Sequence, residues 1–283
     1  MTFAHRLENA VRAKKSAVLV GLDPRMESLP ESCAGSFFDF CKGIIDVVAP
    51  LVPVVKPQVA FFEQYGPDGM RVLKQVIDYA RQKGLLVILD GKRNDIGTTA
   101  AAYADGMIGE QSAWGADAIT VSPYLGDDSL TPFFASAEKR DGGVFVLVKT
   151  SNPGGAMLQD LQTPGGKPVY QHVAEYVQAA SAKLCGTDRY GPIGAVIGAT
   201  WPEQLAQLRQ LMPNVWFLVP GFGAQGGSAK DIGGAFDSDG LGAIVNNSRG
   251  IIFAHTQNKY AGLDWQRAVE LATREMNEEL SRE

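Results

Sequence analysis

The sequence predicts a closed α/β barrel, a (β/α)8 fold, and three observations support this fold class. Eight short runs rich in valine, isoleucine and leucine recur along the chain with helical stretches between them, as in proteins with a parallel sheet. The chain has 283 residues, and barrels of this class commonly have about 250. No linker interrupts the series, so residues 1–283 are expected to form a single barrel domain.

The apolar runs give the expected strands in chain order. They are residues 17–22, 52–56, 85–90, 118–121, 144–149, 194–198, 215–219 and 243–246. A doubly wound open sheet usually has about five or six strands, so eight strand–helix units favour a barrel that closes on itself.

The helices between these strands are indicated by their stop signals. The clearest are residues 70–83 before Gly84, 98–114 before Gly115, and 202–212 before Pro213. The final helix, about residues 264–280, is expected to pack beside the first unit and close the ring.

Two further segments lie outside the regular alternation. Residues 1–15 are expected to add an extra N-terminal helix, over residues 3–14, across the bottom of the barrel. Residues 152–168, which contain pairs of glycine and proline, predict a long loop after the fifth strand. Loops of that length often grip substrates or act as lids, and an ordinary surface excursion is equally compatible with the composition.

Composition and charge argue against several functional classes. The net charge of −5 disfavours a nucleic-acid partner, which needs a basic face. No apolar stretch reaches the roughly 20 residues that span a membrane, and no signal core is evident, so a cytoplasmic protein without a membrane partner is expected. Cys33, Cys41 and Cys185 form no CxxC pair, and are expected to be reduced thiols packed in the interior.

Polar residues follow most of the expected strands. In a (β/α)8 barrel the active site lies at the carboxyl ends of the strands. Charged residues gathered there would have to pair with one another, because burying an unpaired ion costs several kcal/mol. The polar residues at these ends are Asp23, Lys56, Asp90, Lys92, Asp95, Ser122, Lys149, Thr150, Ser151, Thr200, Gln225 and Arg249.

Residues 90–96 form the densest cluster of charge. Asp90 and Lys92 lie two residues apart, so they project from the same face of an extended chain, and Asp95 follows before the next helix. By itself this spacing is also compatible with a solvated salt bridge between Lys92 and a neighbouring aspartate. Its position directly after an apolar strand places it at the barrel mouth. Carboxylates on both sides favour the ammonium form of Lys92, as in a general acid.

A second cluster predicts a phosphate site. Residues 220–227 are rich in glycine, and Arg249 follows the next strand. Glycines let backbone amides approach an oxyanion, and an arginine can bind phosphate through two hydrogen bonds. These loops follow strands seven and eight, where barrels of this class usually bind phosphate. The glycines alone could equally serve a tight turn.

Other chemistries have weaker signals. Residues 221–226 match the dinucleotide fingerprint G-x-G-x-x-G, but only one strand and one long helix follow, too few for that fold. His5, His172 and His255 lie at none of the expected strand ends, so no metal site is expected.

Seven segments in order resemble the orotidine 5′-monophosphate decarboxylase family, specifically its longer bacterial branch. The resemblance covers nearly the whole chain. The matching segments are residues 21–25, 55–63, 90–96, 122–126, 149–155, 220–227 and 247–250.

The resemblance implies a role for each candidate residue. Lys92 would donate a proton to C6 of the pyrimidine, and Asp90 would lie against the departing carboxylate. Lys56 would link Asp90 to the ribose. The substrate-binding residues would be Asp23 at the ribose, Ser151 at the pyrimidine amide, and Gln225 with Arg249 at the phosphate. No role for Lys149 or Thr200 follows from the resemblance.

The resemblance also implies an activity and an assembly. The enzyme would convert orotidine 5′-monophosphate (OMP) to uridine 5′-monophosphate (UMP) and carbon dioxide, the last step of de novo UMP biosynthesis, without a cofactor or metal. Asp95 and Thr99 would reach into the neighbouring subunit's site, so the active form would be a homodimer with shared active sites.

Three alternatives remain open from the residues. A sugar-phosphate decarboxylase or aldolase would share the acidic and lysine cluster but bind Mg²⁺ through carboxylates. A nicotinamide-dependent oxidoreductase would use residues 221–226. A non-catalytic phosphate-binding protein would leave a lysine between two carboxylates without a purpose.

Overall fold

The computed structural model of the chain describes residues 1–222 and 229–281. Eight parallel strands form a closed barrel in the order β1 to β8, each paired with the next and β8 with β1. The predicted fold class is confirmed, and the predicted strands lie within a few residues of those observed. The strands are β1 Val18–Leu22, β2 Val54–Pro57, β3 Leu86–Arg93, β4 Ala118–Val121, β5 Gly143–Lys149, β6 Ile193–Ile197, β7 Phe217–Val219 and β8 Ala243–Asn247.

Helices connect the strands and cover the outside of the barrel, where their apolar faces pack against the outward side chains of the strands. The helices within the described residues are α1 Phe3–Lys14, α2 Phe37–Val48, α3 Val59–Glu63, α4 Gly66–Gln82, α5 Gly97–Met107, α6 Asp127–Lys139, α7 Ala156–Gln159, α8 Val169–Leu184, α9 Pro202–Leu211, α10 Ala229–Ile232, α11 Arg249–Ile252 and α12 Trp265–Leu280.

The predicted helix over residues 98–114 is wrong at its carboxyl end. Helix α5 stops at Met107, and Ile108 is extended, with φ −95° and ψ 132°. Ile108 forms a parallel bridge with Ala116, and the amide of Gly109 donates to the carbonyl of Ala116 at 2.8 Å. Burial of Ile108 in this bridge therefore replaces the last turns of the expected helix.

Helix α1 packs across the bottom of the barrel. Its Phe3 and Leu7 are buried against side chains that point into the barrel, including Phe145. The rings of Phe3 and Phe145 meet edge to face, with centroids 6.0 Å apart. A Cβ atom at Gly143 would lie 2.2 Å from the Phe3 ring, so only glycine fits at the start of β5. The opposite, carboxyl end of the barrel stays open.

The long loop predicted over residues 152–168 is partly ordered into local structure. It contains a 3-10 turn over Pro153–Gly155, then α7, then a bridge between Gln162 and Pro168. This segment joins β5 to α8 at the open end of the barrel.

Two of the three cysteines are buried, as expected from the sequence. Cys33 and Cys41 are buried free thiols, but Cys185 is partly exposed because it follows the last turn of α8. The expectation of an interior position is therefore wrong for Cys185.

Within the described residues, no helix is both long and apolar enough to cross a membrane.

Candidate active site

Asp90, at the open end of β3, is the centre of a hydrogen-bond network. Its Oδ2 accepts from Lys56 Nζ at 2.6 Å and from Gln58 Nε2 at 3.0 Å. Its Oδ1 accepts from Lys92 Nζ at 2.7 Å and from Thr120 Oγ1 at 2.9 Å. The fold thus brings together three of the residues expected in the site, Lys56, Asp90 and Lys92.

Strand geometry explains how these side chains converge. Lys56 and Gln58 are two residues apart on an extended chain and therefore point to the same face, and Gln58 forms a parallel bridge with Asp90. The pairing of β3 with β4 shifts register between Leu89 and Arg93. Lys92 lies within this irregularity and has a φ of 43°, a conformation that few residues other than glycine adopt.

Thr120 on β4 supports the unusual backbone at Lys92. The Thr120 hydroxyl accepts a hydrogen bond from the amide of Lys92 at 3.0 Å while it donates to Asp90. A single buried hydroxyl therefore fixes both the backbone of Lys92 and the carboxylate that its side chain contacts.

The charges at this site stabilise one another. Burial alone would raise the pKa of Asp90, but the attraction of Lys56 and Lys92 outweighs it and holds this pKa below the usual range. Burial alone would lower the pKa of Lys56, and the charges of Asp90 and Asp23 raise it instead. The buried Asp90 and Lys56 are therefore both ionised at neutral pH.

Asp23, at the end of β1, offers a free acceptor close to this cluster. Its Oδ1 is buried, and no hydrogen bond reaches that atom from the residues that the structure describes. A buried acceptor is usually satisfied in a functional complex. A hydroxyl group of a ligand beside Lys56 could donate to it.

The side chain of Lys92 is 47% exposed, in contrast to Asp90 and Lys56. Its ammonium group therefore faces the open end of the barrel, where a ligand can contact it. The cluster can present a proton donor and a fixed negative charge to the same small molecule.

Arg249 begins α11 on the other side of the barrel mouth and is exposed. It lines a cavity of about 510 Å³ together with a second arginine, Arg25, whose guanidinium lies 5.5 Å from the centroid of the Phe61 ring. The other lining residues are Ser28, Asn247, Gly250, Phe253, Thr256 and Gln257. Gln225, the expected partner of Arg249, lies outside the described residues, as do residues 223–227 of the glycine-rich segment.

The ends of β5 and β6 meet at Ser151. The hydroxyl of Thr200 donates to the carbonyl of Ser151 at 3.3 Å. Lys149 does not join the Asp90 cluster, since its ammonium group pairs with Asp160 from the following loop. Among the described residues, the Asp90 cluster and the pair of Lys149 with Asp160 are therefore two separate groups of charges.

Asp95 and Thr99 are not linked to the cluster by any hydrogen bond or ion pair within the described part of the chain. Asp95 Oδ1 accepts only from the amide of Ile96, at 2.9 Å, and Thr99 is exposed at the start of α5. Within the described residues, neither side chain bonds to the Asp90 of its own chain.

Two residues of the network, Thr120 and Gln58, are not among the candidates from the sequence. The sequence points to Ser122 as the polar end of β4, but within the described residues the Ser122 hydroxyl accepts only from the amide of Tyr124, at 3.4 Å. The sequence contains a signal for Thr120, because it is a polar residue within an otherwise apolar strand. The sequence also contains a signal for Gln58, because residues two apart on a strand, such as Lys56 and Gln58, lie on the same face.

Grouped acidic, histidine or cysteine side chains would indicate a metal centre. Residues 1–222 and 229–281 contain no group of three or more such side chains that could hold an ion.

Comparison with known proteins gives consistent matches. A family model described as orotidine 5′-phosphate decarboxylase / HUMPS family matches residues 16–262. The orotidine 5′-phosphate decarboxylase of Rhodopirellula baltica is 54% identical, over 99% of each chain. That of Caldicellulosiruptor bescii is 38% identical over 99% of this chain and 98% of its own. The structure of Leishmania donovani OMP decarboxylase aligns with a TM-score of 0.79 and 36% identity, covering 100% of this chain and 98% of its own.

Proposed function

This chain belongs to the orotidine 5′-phosphate decarboxylase / HUMPS family, and we propose that the cluster around Asp90 is the site where its reaction occurs. The reaction is the decarboxylation of OMP to UMP and carbon dioxide in pyrimidine biosynthesis, so the protein is a carboxy-lyase. The observation that carries the assignment of the site is a buried, ionised carboxylate held between two lysines.

Lys92 is the proposed proton donor. When the bond between C6 of the pyrimidine and the carboxylate carbon breaks, carbon dioxide leaves and the electron pair stays on C6. No ring position delocalises that pair well, so the protein must stabilise it by electrostatics. The Lys92 ammonium stabilises the developing charge and then transfers its proton to C6, which forms the C6–H bond of UMP. The resulting amine regains a proton from solvent.

Asp90 has a different proposed role, against the carboxylate of the substrate. Its negative charge repels that group in the bound substrate, and the repulsion disappears as neutral carbon dioxide departs. Such an interaction favours the transition state over the ground state. Lys56, Gln58 and Thr120 hold Asp90 in place while this occurs.

The remaining candidate residues would bind parts of OMP distant from C6. Asp23 and Lys56 would bind ribose, and Ser151 would bind the pyrimidine amide. Arg249 and Gln225 would bind phosphate, and the cavity beside Arg249 supports this assignment. Contacts to these groups orient the base and supply binding energy to the reacting carbon.

A cytoplasmic homodimer with shared active sites is the proposed assembly. Asp95 and Thr99 would serve the partner's pocket. Exposed apolar side chains on the loops after two neighbouring strands support an interface at this edge, since Ile96, after β3, is 54% exposed and Tyr124, after β4, is 73% exposed. Large exposed apolar patches commonly mark a protein interface.

The direct test is the loss of OMP absorbance with purified protein and no added metal or nucleotide. We expect turnover that EDTA does not reduce. Loss of activity with EDTA would favour a Mg²⁺-dependent sugar-phosphate enzyme, and binding of NAD(P) would favour an oxidoreductase. The closed barrel already argues against use of residues 221–226 as a dinucleotide fingerprint, because the fold that carries this fingerprint has an open sheet.

A further inference from the structure

Lys149, the last residue of β5, is a buried charge to which the proposed mechanism gives no role. The residue is only 1% exposed. Its ammonium group pairs with Asp160 and lies 4.7 Å from the centroid of the Trp201 ring and 5.3 Å from that of Tyr170. A buried ammonium group is costly unless it is paired. The pair with Asp160 therefore holds the start of the β5–α8 loop against a residue eleven positions further along the chain.

A second contact next to this ion pair closes the same loop. The side-chain oxygen of Gln159 accepts from the amide of Thr150 at 3.0 Å, and its amino group donates to the Thr150 hydroxyl at 2.8 Å. We call the two pairs, Lys149 with Asp160 and Thr150 with Gln159, the loop latch. Residues 151–158 lie between its two ends.

Ser151 lies directly beside the latch and is also held from β6. Thr200 donates to the Ser151 carbonyl, and the indole N–H of Trp201 donates to the Thr150 carbonyl at 2.9 Å. A Cβ atom at Gly198 would lie 2.7 Å from Ser151 Cα, so the absence of a side chain there lets β6 approach this closely. The backbone on both sides of Ser151 is therefore fixed.

The rest of the loop has little else to hold it. Most of residues 152–158 are exposed, and Met157 is 81% exposed. With few buried contacts in this segment, its attachment to the barrel depends on the latch.

We propose that Lys149, Asp160 and Gln159 are positioning residues, which hold Ser151 where it can contact the pyrimidine amide. This inference rests on the proposed role of Ser151. Trp201 contributes to both parts, because its ring packs on the Lys149 ammonium while its N–H binds the Thr150 carbonyl.

The test combines Asp160→Ala and Gln159→Ala with Ser151→Ala in double-mutant cycles. For each variant, kcat and KM for OMP, the Kd for UMP and the Tm are measured. Gln159→Ala leaves the ion pair intact and is expected to fold normally, whereas Asp160→Ala leaves the buried Lys149 ammonium without its counter-ion and is expected to lower the Tm, which is why Tm is measured for each variant. Glu175→Gln is the matched control, because it breaks another ion pair of the same loop, with Lys167 at 2.6 Å, away from Ser151.

If the latch acts through Ser151, each latch variant loses about tenfold in kcat/KM for OMP, mostly through KM, with a similar loss of UMP affinity. The same variant made on Ser151→Ala should cause no further loss. Glu175→Gln should match the wild type.

Three results would overturn the proposal, and each differs from a lack of wild-type turnover. Unchanged kcat/KM in both latch variants would mean that the latch positions nothing. An equal loss of kcat/KM in the wild-type and Ser151→Ala backgrounds would mean that the latch acts on the fold generally and not through Ser151. If Ser151→Ala itself had no effect, the role of Ser151 and the inference would fall together. Lack of wild-type turnover would refute the function.

Discussion

The ammonium nitrogen of Lys92 lies 2.7 Å from Oδ1 of Asp90. The proposed proton donor is thus ion-paired with the carboxylate that the substrate carboxylate would have to approach. One position in the barrel mouth therefore combines attraction for the developing carbanion with repulsion of the leaving group.

Lys92→Ala should abolish turnover while leaving the fold and phosphate binding intact. A general acid typically contributes about 10²–10⁴-fold, and the loss of electrostatic stabilisation adds to that. The measurement is kcat by OMP absorbance, with Tm and UMP binding as controls for folding. A variant that kept a tenth of wild-type activity would remove Lys92 from the mechanism.

Thr120→Val should lower kcat by about 10–100-fold. Valine has a similar shape but cannot accept from the Lys92 amide or donate to Asp90. Thr120→Ser, which keeps the hydroxyl, is the matched control and should stay within a few-fold of wild type. Equal losses in the two variants would show that side-chain packing matters here rather than the hydroxyl.

Asp90→Asn should destabilise the fold at neutral pH by about 3 kcal/mol, because it removes the ion-pair partner of the buried Lys56. The two lysines lower the pKa of Asp90 in the folded protein. Its ionised form therefore stabilises the fold above the pKa of an unfolded aspartate, about 3.9, and this stabilisation is lost as pH falls below it.

The gap in Tm between wild type and Asp90→Asn should consequently be largest near pH 6–7 and shrink towards pH 3. Thermal unfolding across this range measures it. A gap that stayed constant down to pH 3 would mean that Asp90 does not carry a lowered pKa.

Arg249→Ala should mainly weaken binding of the phosphorylated substrate. A charge-assisted contact to phosphate contributes about 1.5–3 kcal/mol, which corresponds to roughly a 10–150-fold loss in kcat/KM for OMP. Orotidine, which lacks the phosphate, should be almost insensitive to the substitution. Comparable losses with both substrates would refute the phosphate role of Arg249.

Mixed dimers test whether Asp95 serves the partner's site. Inactive Lys92→Ala and inactive Asp95→Ala subunits should regain activity when mixed, because a hybrid has one site without either group and one intact site. With random exchange at equal amounts, about half the dimers are hybrids, so roughly a quarter of wild-type activity per site is expected. Mass spectrometry confirms that hybrids form. Their continued inactivity would place Asp95 in its own chain's site or point to a monomer.

The sequence by itself determined the barrel and the chemical character of its mouth. Hydrophobic periodicity is a local property, and each of the eight apolar runs specified a strand without knowledge of its neighbours. Chain order then placed Lys56, Asp90 and Lys92 at strand ends, and a closed barrel must bring such ends together. Helix α1 followed from the same local pattern.

Only the tertiary structure decided which polar groups meet. Thr120 rather than Ser122 reaches Asp90 because it lies opposite Asp90 in the register that pairs Ile88 with Ala118 and Leu89 with Ile119. Lys149 pairs with Asp160 because the loop after β5 folds back against the carboxyl end of β5. Helix α5 ends at Met107 because Ile108 gains a bridge and burial elsewhere. Each outcome depends on partners distant in sequence, and local propensity carries no information about them.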